Sequence, residues 1–218
     1  MKEKNFILED YLIQKLILEK KLEENEVMKV CETSHPILQM IILDKLPKEH
    51  VRSLAGNPSL SSDPDFQLAV LDKLPKEHVW SLAKNPLLKD PEVQLAVLDK
   101  LPEEHVWSLA GNPSLTNPEV QLAVLAKLPK ENVHHLAQNQ SLKNPDVQLA
   151  VLAKLPKRDV WRLAGNPSLS SDPDFQLAVL DKLPKEHVWS LAKNPLLKDP
   201  EVQLAVANIV PWYFSEIT

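Results

Sequence analysis

Histidine, cysteine and tryptophan are the side chains with which this chain could do chemistry, and their spacing decides which kind. His50, His78, His105 and His187 recur at one position of a repeated segment, with Asn132 and Asp159 at that position in two further copies. Equivalent positions on stacked helices lie roughly 8–10 Å apart, whereas zinc–nitrogen bonds are near 2 Å, so one ion cannot bridge two of these rings. His134 and His135 are adjacent, and neighbours along a helix do not face one another. The one cysteine, Cys31, can form neither an internal disulfide nor a thiolate cluster, which fits a reducing compartment. The loop serines and Cys31 show no grouping of nucleophile, base and orienting residue. With only 3 glycines, a glycine-rich phosphate loop is also excluded. No metal, cofactor or catalytic residue is expected.

Recognition is the chemistry that remains. Trp80, Trp107, Trp161 and Trp189 share one register, taken by Arg52 and His134 in two other copies. That position lies about 100° around a helix from the adjacent valine, at the margin of an apolar face. An aromatic row there either fills the seam between stacked units or forms a binding strip, tryptophan being strongly enriched among interface anchors. The six positions Arg52, Trp80, Trp107, His134, Trp161 and Trp189 are the candidate partner-binding set. Asn57, Asn85, Asn112, Asn139, Asn166 and Asn194 form a second row, suited to satisfying carbonyls orphaned at a helix end. Gln67, Gln94, Gln121, Gln148, Gln176 and Gln203, with Gln39 before them, form a third. Buried amides need partners, and the loop backbone or glutamine of the adjacent unit can supply them; the alternative is a row of amides reading a partner. Lys73, Lys100, Lys127, Lys154 and Lys182 could align as a basic stripe, but Asp72, Asp99, Asp181 and several glutamates interleave with them. A charge-mixed, solvated edge is the expected reading.

These rows exist because the chain is periodic. A Leu-Pro or Val-Pro step recurs at Pro47, Pro75, Pro102, Pro129, Pro156, Pro184 and Pro211, at spacings of 28, 27, 27, 27, 28 and 27. A second series, Pro36, Pro64, Pro91, Pro118, Pro145, Pro173 and Pro200, keeps the same steps. The longer units carry one extra residue in the turn, in Ser61-Ser62-Asp63-Pro64 and Ser170-Ser171-Asp172-Pro173. Residues 54–97 are identical to residues 163–206, which implies recent duplication or deliberate construction.

Each unit reads as two helices. In Asp90-Pro91-Glu92-Val93-Gln94-Leu95-Ala96-Val97-Leu98-Asp99-Lys100, Asp90 suits the N-cap, Pro91 the first helical position and Glu92 the positive helix end. Val93, Leu95, Ala96, Val97 and Leu98 cover most of the circumference, so this helix is expected to be the inner, more buried one. The other, Pro75 to Ala83, is short and amphipathic, with Val79, Leu82 and Ala83 on one face. Both fall short of the roughly 12–15 residues at which a lone helix becomes marginal in water, so stability must come from stacking. Seven units at ~8–10 Å per helix layer predict a rod or arc of roughly 60–70 Å.

The alternation of Asn-Pro and Asp-Pro steps with a short helix ending in Leu-Ala and a longer V-x-L-A-V helix resembles the leucine-rich repeat variant family of bacterial solenoids, akin in style to HEAT repeats. The resemblance covers about residues 34–211. This chain departs from it in a unit a few residues longer, and in lacking the cysteine-rich iron–sulfur segment of one family member. The resemblance implies an α-solenoid fold; it brings no catalytic residue and no cofactor.

The sequence therefore predicts an all-α solenoid of tandem two-helix repeats over 34–210, with helical capping over 1–33 and an apolar C-terminal tail or cap over 211–218. The net charge of −5 gives no general reason to condense on nucleic acid or an anionic membrane. No run approaches the roughly 18 apolar residues of a membrane span, and Met1 to Glu24 lacks the pattern of a signal peptide. A cytoplasmic binding module or scaffold for protein or peptide is expected. The alternatives are a modular nucleic-acid-binding solenoid, and a structural spacer or engineered repeat scaffold.

Overall fold

A computed structural model describes residues 36–210, and the capping and tail segments expected over 1–33 and 211–218 lie outside them. Among the described residues there are thirteen α-helices and no strand. They come as long and short helices in alternation, beginning with the long Pro36–Lys45. The long ones, such as Pro91–Lys100 and Pro145–Lys154, all run ten residues from a proline. Their starts are fixed locally: Asp90 Oδ1 accepts from the Glu92 and Val93 amides at 2.9 and 3.1 Å, and Asn117 does the same for Glu119 and Val120. The proline that follows supplies a preset φ where no N–H is needed.

The short helices are less regular than the spacing predicts. Lys48–Ala55 is one continuous α-helix, but later copies open with a 3₁₀ turn and then five α residues, as in Lys76–His78 followed by Val79–Ala83. His78 supplies a carbonyl to the hydroxyl of Ser81 at 2.7 Å, and the same bond joins Ser108 to His105 and Ser190 to His187. The histidine row thus marks the junction between the two helix types through its backbone.

The chain divides into two compact units, one up to Pro102 and one from Glu103. In the first, the short helices Lys48–Ala55 and Val79–Ala83 pack on each other, and so do the long helices Pro64–Lys73 and Pro91–Lys100. In the second, Val106–Ala110, Val133–Ala137, Val160–Ala164 and Val188–Ala192 pack in succession, each also against the long helix that follows it. Within each unit this is the tandem two-helix stacking of an all-α solenoid.

The expected burial is reversed. In Val79–Ala83, Val79, Ser81, Leu82 and Ala83 are buried, whereas Pro91–Lys100 buries only Val93, Gln94, Val97 and Leu98 of its ten residues. Leu95 and its counterparts Leu122, Leu149 and Leu204 are 43%, 43%, 54% and 63% exposed. The short helix Val79–Ala83 packs against Lys48–Ala55 and against the long helix Pro91–Lys100, and four of its five residues are covered. The long helix keeps one free flank despite its apolar composition. Leu74, Val79, Leu82, Leu88, Val93 and Val97 form one layer of the core, nearly all at 0–1% exposure, each worth about 1.5–3 kcal/mol of burial.

Candidate functional site

The three polar rows, of asparagine, glutamine and lysine, all bond from one repeat to the next. Asn139 donates from Nδ2 to the carbonyls of Ala110 and Asn112, both at 2.8 Å, and accepts at Oδ1 from the Ser141 amide at 2.9 Å. Asn85, Asn166 and Asn194 repeat the donation to the preceding unit's Ala and Asn, at 2.7–3.0 Å. The alanine carbonyl ends the previous short helix, where intrahelical donors run out, and the asparagine carbonyl also accepts a leucine amide, as Asn112 O does from Leu115 at 3.1 Å. Asn57 and Asn112 accept at Oδ1 from the amides of Ser59 and Ser114 in the same way.

The glutamines act one layer away. Gln121 donates from Nε2 to Leu115 O at 2.7 Å and to Ser141 O of the following loop at 3.0 Å. Gln67, Gln148 and Gln176 make matching pairs, while Gln94 reaches Leu88 O and the exposed Gln203 reaches Leu197 O. The extra residue of the longer units has a role here. Ser170 donates its amide to Gln148 Oε1 at 2.7 Å, and Ser61 does so to Gln39. In shorter units that acceptor is left over: Gln121 Oε1 is buried without a hydrogen-bond partner. Both amide rows face protein backbone.

The lysine row is not the solvated edge expected from its charge pattern. Lys154 Nζ donates to the carbonyls of Leu125 and Ala126 at 2.6 and 3.2 Å, and Lys100 to Leu71 and Asp72 at 2.5 and 2.9 Å. Lys73 and Lys182 bind the equivalent carbonyls of Leu43 and Leu152. Each lysine caps the long helix one unit back, where cations complement the helix dipole. Burial holds Lys182 below the ordinary lysine pKa, and nearby Lys130 adds to the effect.

The tryptophan row is what remains facing out. Trp107, His134, Trp161 and Trp189 occupy the second residue of four successively packed short helices of the second unit. The first three are half-buried and Trp189 is 38% exposed. Cations and histidines lie against the rings. Arg162 Cζ is 4.7 Å and Lys193 Nζ 5.4 Å from the centroids of Trp161 and Trp189, while Trp107 lies 5.3 Å from His135 and Trp161 5.9 Å from His187. In the first unit, Arg52 is exposed at the same register. Its guanidinium is 5.8 Å from Trp80, and Lys84 approaches that ring to 5.1 Å. Lys84 and Lys193 sit at the C-cap four residues after their tryptophans, in right-handed helical backbone, which brings them onto the same face.

Between Trp161 and Trp189 the surface opens into a groove of ≈ 390 Å³ at the C-terminal ends of the short helices, reached by Gln138, Arg162 and Lys193 and edged by Pro167 and Pro195. No carboxylate lines it. Among the described residues, no three His, Cys, Asp or Glu gather as a metal site, and no helix is long and apolar enough to cross a membrane. No family model matches the sequence, and comparisons with curated proteins and with solved structures gave no match.

Proposed function

We propose that the chain is a non-enzymatic binding module, a repeat scaffold that recognises a protein or peptide partner through the tryptophan-bearing face of its short helices. One observation carries the reading. The core is complete beneath Val106, Val160 and Val188, yet the tryptophans beside them, Trp107, Trp161 and Trp189, keep part of each ring in contact with solvent. Aromatic area left at the surface beside cations is what interface anchors provide. Repetition spreads these groups along an axis and does not converge them, which favours extended binding over catalysis. The resemblance to leucine-rich repeat variant solenoids supports the same reading, and the lone Cys31 supports a cytosolic setting.

Binding of nucleic acid has less support, since Lys73, Lys100, Lys154 and Lys182 are committed to backbone carbonyls of the chain itself. A pull-down with the intact chain and with a Trp107→Ala, Trp161→Ala double variant tests the proposal. Loss of partners in the variant is expected, and unchanged recovery rejects the tryptophan face. A spacer or inert scaffold recovers no specific partner with either protein.

A further inference from the structure

The groove between Trp161 and Trp189 carries an inference about what kind of segment it holds, and this inference rests on the binding-module reading above. Three successive C-cap positions border it: Gln138, Gly165 and Lys193. All three have right-handed helical backbone, with φ of −88°, −86° and −81°. Gly165 is therefore not required by its backbone conformation, and lysine occupies the same conformation at Lys84, where φ is −82°. The difference lies in space. Lys84 and Lys193 extend over the tryptophan four residues earlier, at 5.1 and 5.4 Å, whereas at Trp161 the cation over the ring is Arg162, at 4.7 Å, and Gly165 adds no side chain. The groove lies beside Gly165, where the C-cap lysine is missing.

The charged residues that line the groove are cations. Arg162 and Lys193 reach the groove, and no carboxylate lines it. Asp159 offsets part of the charge from the side, lying 3.4 Å from both Arg162 Nε and Arg158 Nε. Helix C-termini would ordinarily repel an anion, but the carbonyls that end these short helices already receive Asn166 and Asn194: Ala137 at 2.8 Å and Ala164 at 2.7 Å. Two indole rings and two prolines give it apolar area, beside the polar Asn166, Ser190 and Asn194.

We propose that this groove binds an acidic, extended peptide segment, seating an apolar or proline side chain between Trp161 and Trp189 and its flanking carboxylates against Arg162 and Lys193. At ≈ 390 Å³ the groove is at the low end of the ~300–1,000 Å³ typical of small-molecule clefts, suiting one anchor side chain. Lys193, with the part of the Arg162 charge that Asp159 leaves over, suits one or two carboxylates. These two cations cannot follow the run of phosphates that gives single-stranded nucleic acid its affinity.

Selection of a phage-displayed random 12-residue library on the intact chain, followed by titration of the recovered synthetic peptides, tests the proposal. The expected peptides are enriched in Asp and Glu around an apolar or proline residue. They lose tenfold or more in affinity with Gly165→Lys, which restores the covering lysine of neighbouring repeats, and with Arg162→Gln combined with Lys193→Gln. Leu149→Ser, on the long-helix flank, leaves affinity unchanged. A Cβ at Gly165 would lie 3.3 Å from Trp161 O, so binding to Gly165→Lys is read well below its own thermal midpoint, and the Gln pair, which leaves that backbone alone, reads the charge requirement independently. Peptides that need Trp161 and Trp189 but show no acidic enrichment overturn the acidic ligand and leave the binding module standing. Recovery of no peptide that depends on those tryptophans, or tighter binding of a mixed-sequence single-stranded 20-nucleotide probe, overturns both.

Discussion

Asn166 reaches back one repeat to Asn139, donating to its carbonyl at 3.0 Å while a second Nδ2 bond goes to Ala137. Asn139 is itself bonded to Asn112 in the same manner. These repeats are thereby tied to one another at the point where the carbonyls of a five-residue helix run out of intrahelical donors.

Replacing Asn166 tests that tie. Asn166→Ala strands the carbonyl of Ala137, while that of Asn139 keeps the Leu142 amide at 3.0 Å, so a loss of about 1–3 kcal/mol in unfolding free energy is expected from urea denaturation. Asn166→Asp keeps the shape and reverses the polarity, setting a carboxylate against two carbonyl oxygens. It is expected to destabilise at least as much as alanine at neutral pH. A variant with an unaltered urea midpoint would mean that the amide row carries no load.

The glutamine row predicts a difference between two chemically identical substitutions. Gln148 makes three hydrogen bonds, to Leu142 O, Ser168 O and the Ser170 amide, whereas Gln121 makes two and leaves Oε1 unpaired. Gln148→Leu should therefore cost about 1 kcal/mol more than Gln121→Leu, the net worth of one bond. Equal losses would assign no value to the extra serine of the longer unit.

Lys182 gives the pH dependence its sign. Its folded pKa is lowered from 10.5 by burial, then by Lys130. The unfolded chain therefore binds more protons across the interval below 10.5, and stability contributed by this group rises as pH rises through it. Urea midpoints measured at pH 8 and pH 10 should show an increment that Lys182→Met abolishes. A wild-type response equal to that of the variant would remove the lysine from the account.

Much of the fold is legible in the residues because its punctuation is local. Asp or Asn followed by Pro fixes the start of each long helix through one cap and one preset φ, and these act within four residues. The distribution of burial is not local. Val93, Leu95 and Val97 are equally apolar as letters, and only the packing of neighbouring units leaves Leu95 outside while covering Val93 and Val97. The lysine rows were obscured for a related reason: Lys154 reads as surface charge until Leu125 and Ala126 of the unit before it are brought within reach. The tryptophan register is plain in the sequence, but its exposure and its cationic company depend on the C-cap residue a turn later.

Two rows of large side chains reach solvent, the tryptophans of the short helices and the leucines of the long ones, so a comparison between them tests the account most directly. Partner recovery should be measured for the intact chain, for Trp107→Ala with Trp161→Ala, and for Leu122→Ser with Leu149→Ser, two leucines 43% and 54% exposed. Loss with the tryptophan pair and retention with the leucine pair is the predicted result. Retention with the tryptophan pair and loss with the leucine pair would contradict it, moving the working surface to the long helices.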